Sequence, residues 1–326
     1  DTKKPPLIVA EISANHNGSK KNFLKLIKQA SMSGADLVKI QTYEPQDMTL
    51  NSNKKIFRLK KGLWKNKFLF DLYKKSHTPF SWHKDAFNFA RKNNINLFSS
   101  PFSIRAVQLL EKLNVSIYKI ASLEITDFSL IDRIAQCNKP IIVSTGCATI
   151  KEIQNCVRLI KKYHNKIILL HSVTSYPTLD EDANIKKIDY LKKKFKNIPV
   201  GLSDHTNDIT SSIAASALGV VMIEKHFASE KIPKTLDNKF SIGEKKFMEL
   251  KKMTSKIFNL LNSNIKFNTP NKDQRRSLFA KTDIKKGQKF NKENFISLRP
   301  KIGICSSKYF EILNKTSKKN VKKGEP

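Results

Sequence analysis

The chain has 326 residues, 39% of them hydrophobic, which is enough to bury one large domain or a large domain and a small one. It contains no run of 18 apolar residues and no signal-peptide core near its start, so we exclude a membrane-spanning protein and expect a cytoplasmic one. The net charge of +33 comes almost entirely from lysine, which is spread over every predicted helix. Arginine is scarce and the sequence contains no nucleic-acid-binding motif, so we do not expect nucleic-acid binding.

The chain begins with a strand, a helix and a second strand. Residues 6–13 are an apolar run bounded by two prolines and by a turn at 15–18, so they predict a buried strand. Residues 20–33 show helical spacing of apolar side chains, and 36–42 form the second strand, with Lys39 and Gln41 on one face. Because a buried lysine is costly without an anionic partner, Lys39 predicts a functional contact.

A long insertion follows at 43–79, rich in apolar and aromatic residues but without a regular pattern. Long loops inside a compact domain are usually lids or binding loops, so we expect an irregular functional loop here. A helix at 81–91 resumes the regular structure, with Ser81 as its expected N-cap.

The remaining strand and helix units are regular. Strands are predicted at 95–102, 116–122, 140–146, 166–172, 198–203 and 220–227, and helices at 105–113, 129–137, 149–163, 185–195, 208–218 and 244–261. Eight successive units with right-handed crossovers predict a (β/α)8 TIM barrel as a catalytic domain at 1–261, with its chemistry at the C-terminal ends of the strands.

Polar side chains gather at those predicted strand ends. They are Glu11, Lys39, Gln41, Ser100, Lys119, Ser122, Glu124, Thr145, His171, Tyr176, Ser203, Asp204, His205, Glu224, Lys225 and His226. Barrel strands do not need so many polar residues for stability, so they predict a convergent pocket for an anion and a metal ion. For Thr145 and His171 we expect structural hydrogen bonds instead.

Two of these residues are histidines that follow neighbouring strands. His205 ends the run 201–206 and His226 ends the run 221–227, so both are expected at one edge of the sheet. Neutral imidazole is a common ligand for divalent transition metals, and two imidazoles with the other positions open suit a catalytic ion. The alternative is a pair of structural histidines.

The C-terminal part has a different character. Residues 262–274 are polar without a periodic apolar face and predict a linker, and 275–326 predict a small β-rich module. A core of about 50 residues is marginal alone, so we expect the module to dock on a barrel.

Seven short motifs in order along the barrel resemble the sialic acid synthase family, and within it the pseudaminic acid synthases. They are AEISANHNG at 10–18, VKIQT at 38–42, SSPF at 99–102, YKIASLE at 118–124, STG at 144–146, GLSDHT at 201–206 and EKHF at 224–227. The segments RSLF at 276–279 and LRP at 298–300 resemble the family's antifreeze-like (SAF) domain.

The resemblance implies condensation of phosphoenolpyruvate with 2,4-diacetamido-2,4,6-trideoxy-L-altrose to give pseudaminic acid and phosphate, with Mn²⁺ as the divalent ion, or else Mg²⁺ or Co²⁺. It makes His205 and His226 the metal ligands and places Glu11 close to the chemistry, as acid, base or orienting group. The residues implied to bind phosphoenolpyruvate are Lys39, Ser100, Lys119, Ser122, Thr174 and Ser203. Those implied to bind the sugar are Glu124, Tyr176, Asp237 and Arg299, the last reaching the partner subunit's site in a domain-swapped homodimer.

The choice of sugar rests on the loop sequences GLWK at 62–65, LYKKSHTP at 72–79 and WH at 82–83, which resemble pseudaminic rather than N-acetylneuraminic acid synthases. The chain departs from the family pattern at 172–173, where Ser-Val replaces Cys-Thr. The same pocket suits an N-acetylneuraminate or legionaminic acid synthase. A rival of another class is a basic, non-catalytic barrel that binds nucleic acid or sugar, for which loss of His205 would leave function intact.

Overall fold

The structure is a computed structural model that describes residues 4–60, 62–232, 235–263 and 272–326. The chain divides into two compact units, Asp1–Ser263 and Asn264–Pro326. Most of the predicted linker, at 264–271, lies outside the described residues, so the bounds of linker and domains stay predictions. No helix in the described part is long and apolar enough to cross a membrane.

Eight parallel strands close a barrel in the first unit, each paired with its neighbours in the chain. They are Leu7–Glu11 (β1), Leu37–Thr42 (β2), Leu97–Pro101 (β3), Tyr118–Ile120 (β4), Ile141–Ser144 (β5), Ile167–Ser172 (β6), Val200–Asp204 (β7) and Met222–His226 (β8). The register places Glu11 opposite both Lys39 and His226, so three predicted site residues meet at one end. The closed ring confirms the predicted (β/α)8 fold.

At least one helix follows every strand. The α-helices of this unit are Lys20–Met32 (α1), Pro45–Met48 (α2), Leu69–Ser76 (α3), Phe80–Lys92 (α4), Ile104–Lys112 (α5), Phe128–Gln136 (α6), Ile150–Lys161 (α7), Lys187–Lys194 (α8), Thr210–Ala217 (α9) and Glu244–Leu261 (α10). The N-cap of α7 is Thr149, which forms a capping box with Glu152. The expected N-cap at Ser81 is wrong, because Pro79 occupies that position and its carbonyl accepts from the amide of Trp82.

The insertion at 43–79 is more ordered than the sequence predicts. It contains α2, a 3₁₀ turn at Lys55–Phe57 and α3, and an antiparallel bridge joins Arg58 to Phe68. These elements are only three to eight residues long, so their apolar pattern is too short to stand out in the sequence.

Barrel strands and helices share one apolar core. The strands β3, β5, β7 and β8 are buried at every position, as expected for parallel strands covered on both faces. Buried apolar side chains of the helices, such as Phe23 and Phe247, belong to the same cluster. The polar residues that are buried at the strand ends therefore lie in a rigid frame.

The second unit contains a two-stranded antiparallel sheet, formed by Ser277–Ala280 (β9) and Phe295–Leu298 (β10). Isolated bridges join Ile284 to Val321 and Lys289 to Thr316, and one short helix, Tyr309–Ile312 (α11), follows. This arrangement confirms the predicted small β-rich module.

Candidate active site

A cavity of about 340 Å³ opens at the C-terminal ends of the barrel strands. Its lining includes most of the predicted site residues, namely Glu11, Lys39, Lys119, Ser122, Glu124, Tyr176, Ser203, His205, His226 and Asp237. The sequence prediction that these side chains converge is therefore correct in position, while the role of each residue stays a prediction.

Glu224 is at the centre of a charged cluster at the bottom of this site. Its carboxylate accepts hydrogen bonds from Nζ of Lys119 at 2.8 and 2.9 Å and from Oγ of Ser203 at 2.9 Å, and it lies 2.9 Å from Nζ of Lys39. All four side chains are buried. Although burial opposes ionisation, Lys119 and Lys39 hold the pKa of Glu224 well below its usual range. The cluster thus fixes two ammonium groups side by side.

Glu11 joins the same cluster from β1. One carboxylate oxygen lies 3.0 Å from Nζ of Lys39, and the other accepts from Nε2 of Gln41 at 3.1 Å. Burial raises the pKa of Glu11 to about 7, although Lys39 works in the opposite direction. Burial also disfavours the charged form of Lys119, and for this base the effect lowers the pKa, to about 8. Glu11 can therefore hold or release a proton near neutral pH.

The two histidines lie together at the ends of β7 and β8, with ring centroids 5.5 Å apart. Nδ1 of His205 donates to the carbonyl of Val173 at 2.7 Å, which leaves the lone pair on Nε2. Burial lowers the pKa of His205 to about 4 and that of His226 well below its usual range, so both rings are neutral at pH 7.

These features fit a divalent metal ion held by His205 and His226. Neutral imidazole is the form that binds metals, and Nδ1 of His226 is buried without a hydrogen-bond partner in the described part of the chain. Among the described residues no group of three or more His, Cys, Asp or Glu side chains is placed to hold an ion. An ion held by these two imidazoles alone would keep its other positions open, as catalytic sites require.

Three predicted sugar contacts line the cavity near the histidines. The ring of Tyr176 lies 4.3 Å from that of His205, and Oδ2 of Asp237 lies 3.9 Å from Nδ1 of His226. Burial raises the pKa of Glu124 to about 7, and its Oε2 is buried without a hydrogen-bond partner in the described structure. These groups are polar and available to a ligand.

Three other predicted site residues do not line the cavity. Oγ of Ser100 is buried and donates to the carbonyl of Lys119 at 3.3 Å. The methyl group of Thr174 packs against Gly146, where an added Cβ would lie 2.9 Å from that methyl group and 2.8 Å from Oγ of Ser122. Arg299 lies in the second unit, exposed, directly after β10.

The sequence analysis placed Glu224 at the pocket but assigned it no contact, and it expected a functional loop at 43–79 without saying which of its residues reach the site. Glu224 shares a face of β8 with His226, which is the signal that places it beside the predicted metal ligands. Leu59 and Trp64 are residues of the insertion that line the cavity.

The prediction that Asp204 and Lys225 join the pocket is wrong, because both alternate with the cavity-lining residues of β7 and β8 and neither lines the cavity. They form a second buried ion pair instead, with Nζ 3.0 Å from Oδ2. Nζ of Lys225 also donates to the carbonyl of Thr206 at 2.6 Å, and Asp204 accepts from Oγ of Ser212 at 2.6 Å. Each member of the pair directly precedes one of the histidines, so the network ties their backbones together.

Comparisons with known proteins agree with the fold. The NeuB family model matches residues 26–266, and the SAF domain model matches residues 275–326. The pseudaminic acid synthase of Helicobacter pylori is 42% identical to this chain over 99% of it and 96% of that protein. The N,N'-diacetyllegionaminic acid synthase of Campylobacter jejuni is 37% identical over 99% of this chain and 98% of that protein.

Among solved structures, the N-acetylneuraminic acid synthetase of Leptospira borgpetersenii in complex with citrate superposes with a TM-score of 0.73 and 29% identity. The match covers 83% of this chain and 90% of that one. The family model spans most of the barrel, and the H. pylori relative is matched along almost its whole length. The chain therefore belongs to the NeuB family and carries a C-terminal SAF domain.

Proposed function

We propose that the chain is a pseudaminic acid synthase that condenses phosphoenolpyruvate with 2,4-diacetamido-2,4,6-trideoxy-L-altrose and water to give pseudaminic acid and phosphate. The observation that carries this proposal is a single cavity in which two buried lysines, Lys39 and Lys119, lie close to a pair of neutral histidines. The likeness to a pseudaminic acid synthase over the whole chain supports the choice of sugar.

In the reaction, the methylene carbon of phosphoenolpyruvate forms a bond to the aldehyde carbon of the open-chain sugar. The aldehyde oxygen gains a proton, water adds at the carbon that carried phosphate, and phosphate leaves. Lys39 and Lys119 would bind the phosphate and carboxylate groups, helped by the hydroxyls of Ser122 and Ser203. Ser100 and Thr174 remain proposed contacts outside the cavity lining.

A divalent cation held by His205 and His226, Mn²⁺ or else Mg²⁺ or Co²⁺, would supply Lewis-acid polarisation of the aldehyde. Glu11 has a pKa of about 7 and is held by Lys39 and Gln41, so its carboxylate can exchange a proton with a group in the cavity. We assign it proton transfer in this proposal.

The sugar would extend from the histidines along Tyr176, Glu124 and Asp237. We also propose a homodimer in which the second unit of each chain serves the other chain's site and contributes Arg299 there, since so small a module is marginal alone. A cytoplasmic location is part of the same proposal, because phosphoenolpyruvate is an intracellular metabolite.

The proposal is tested by measuring phosphate release from phosphoenolpyruvate with Mn²⁺ and a panel of sugars. We expect the highest kcat/KM with the diacetamido-trideoxy-altrose, and loss of turnover in His205→Ala. Preference for the corresponding manno sugar would instead indicate a legionaminic acid synthase, which the 37% identity to such an enzyme favours as second candidate. No turnover with any sugar would favour a non-catalytic binding barrel.

A further inference from the structure

The cavity has an apolar wall in addition to its charged residues. Besides Tyr43, the insertion supplies six apolar or aromatic side chains to the lining, namely Met48, Leu59, Trp64, Leu69, Leu72 and Tyr73. No charged residue of the insertion's described part lines the cavity. Of the other lining groups it supplies, the hydroxyls of Tyr43 and Ser76 bond to each other at 2.8 Å. A ligand group against this wall therefore meets mostly carbon, and the only hydrogen-bond donors among these six side chains are the indole N–H of Trp64 and the hydroxyl of Tyr73.

Leu59 and Trp64 lie on a hairpin, whereas the other four wall residues lie on the short helices α2 and α3. The amide of Leu59 donates to the carbonyl of Lys67 at 2.9 Å, and the amide of Asn66 donates to the carbonyl of Leu59 at 2.8 Å. The turn uses left-handed backbone at Gly62, with φ of 83°, and at Asn66, with φ of 70°, which these residue types adopt at low cost. Trp64 is thus presented on a hydrogen-bonded frame.

Trp64 is linked to the histidines through two aromatic rings. Its ring centroid lies 6.4 Å from that of Tyr176 and 6.4 Å from that of Phe240. Tyr176 lies 4.3 Å from His205, and Phe240 lies 4.8 Å from His226. An extended six-carbon sugar spans roughly 6 Å from C1 to C6, given carbon–carbon bonds of about 1.5 Å. A sugar whose C1 lies at the histidines and whose chain runs toward Trp64 would place C4 to C6 near this wall.

We infer that Trp64 and its apolar neighbours determine sugar specificity, by accepting the C6 methyl and the C4 acetamido methyl of the substrate and disfavouring hydroxyl groups there. The inference rests on the proposed function and names the residues that select its substrate, a sugar that is deoxygenated and acylated at its far end. The wall carries no feature that separates altro from manno stereochemistry.

The expected size of this selection follows from the chemistry of apolar pockets. A hydroxyl against the carbon atoms of such a wall loses its water without gaining a partner, and an apolar pocket rejects an added hydroxyl by on the order of 100-fold. N-acetylmannosamine carries hydroxyls at both C4 and C6, so wild-type enzyme should prefer the diacetamido-trideoxy sugar by at least about 100-fold in kcat/KM.

The test compares Trp64→Ala and Trp64→Phe with wild type, using phosphate release with each of the two sugars. Trp64→Ala should lower the ratio of the two kcat/KM values at least about 10-fold while leaving the KM for phosphoenolpyruvate unchanged, and Trp64→Phe should keep most of the selectivity. Ile56→Ala is the matched control, because Ile56 lies in the same insertion, is 76% exposed and does not line the cavity.

A second readout does not depend on turnover. The chain has two tryptophans, so Trp82→Phe leaves Trp64 as the only one, and the diacetamido sugar should change its fluorescence in the presence of phosphoenolpyruvate. Two results would overturn the inference and leave the proposed function standing. One is an unchanged ratio of the two kcat/KM values in an active Trp64→Ala enzyme, and the other is no fluorescence response in an active Trp82→Phe enzyme. Absence of turnover by wild type with every sugar would overturn the proposed function as well.

Discussion

Lys225 and Asp204 are the most informative residues to change, because both are fully or almost fully buried and belong to one closed network. Lys225 is 0% exposed and Asp204 3%. Removing one member of a buried ion pair leaves the other charge without compensation, which costs about 3–5 kcal/mol, whereas removing both costs much less. The two single variants and the double variant should therefore be strongly non-additive.

The structure also predicts the order of the two single variants. In Lys225→Met, Asp204 keeps three donors: the amide and hydroxyl of Thr206 at 2.9 and 2.8 Å and the hydroxyl of Ser212 at 2.6 Å. In Asp204→Asn, the ammonium of Lys225 keeps only uncharged oxygens of Thr206, at 2.6 and 3.2 Å. We expect a loss near 3 kcal/mol for Lys225→Met and near 5 kcal/mol for Asp204→Asn, following the range for broken buried pairs.

Urea unfolding followed by circular dichroism measures these losses. The double variant should recover about 2 kcal/mol or more relative to the sum of the single variants, and Lys225→Met alone should lower Tm by on the order of 10 °C. The salt bridge between Lys246 and Asp208 is the control, because both partners are about half exposed and Lys246→Met should cost less than about 1 kcal/mol. Strictly additive single variants, or single variants no worse than Lys246→Met, would refute this reasoning.

Three further predictions concern the site. Lys39→Met should raise the KM for phosphoenolpyruvate about 10–100-fold and change the KM for the sugar little, because a charged contact to an anion is lost. The control Lys193→Met changes an exposed lysine and should leave both KM values unchanged. A KM raised for the sugar alone would contradict the prediction. Burial raises the pKa of Glu124 from 4.5 to about 7. Its protonated form therefore contributes to the free energy of unfolding in full below pH 4.5, and that contribution is lost as the pH rises through 7. Glu124→Gln should therefore raise Tm by several degrees at pH 8.5 and much less at pH 5.5, and an equal effect at both pH values would rule this out. Mixing Arg299→Ala with His205→Ala should restore part of the activity through one intact site per mixed dimer, and no recovery despite proven subunit exchange would exclude a shared site.

The barrel could be predicted from the sequence because its signals are local. Short buried runs bounded by turn residues marked all eight strands, and alternation along β2 correctly placed Lys39 and Gln41 on one face. Boundaries were less accurate: the fourth strand spans only Tyr118–Ile120 rather than 116–122. Thr145 and His171 do make the structural hydrogen bonds expected of them, to the carbonyls of Leu170 and Ala183.

What the sequence did not predict depends on contacts between distant segments. Glu224 is a strand-end residue like many others until the barrel closes and places it between Lys39 and Lys119, which are 185 and 105 residues away along the chain. Such long-range ion pairs carry no pattern in a single sequence. Trp64 is a different case: its motif at 62–65 is visible in the sequence, but the segment has no helical or strand periodicity, and only the folded hairpin directs Trp64 to the cavity.

The most direct test of the central claim is mass spectrometry of the product. Purified protein is incubated with phosphoenolpyruvate, Mn²⁺ and 2,4-diacetamido-2,4,6-trideoxy-L-altrose, alongside reactions without sugar and with His226→Ala. The account predicts a nine-carbon acid with the mass of pseudaminic acid, formed in a one-to-one ratio with phosphate and absent from both controls. Phosphate release without that acid, or the acid formed equally by His226→Ala, would contradict it.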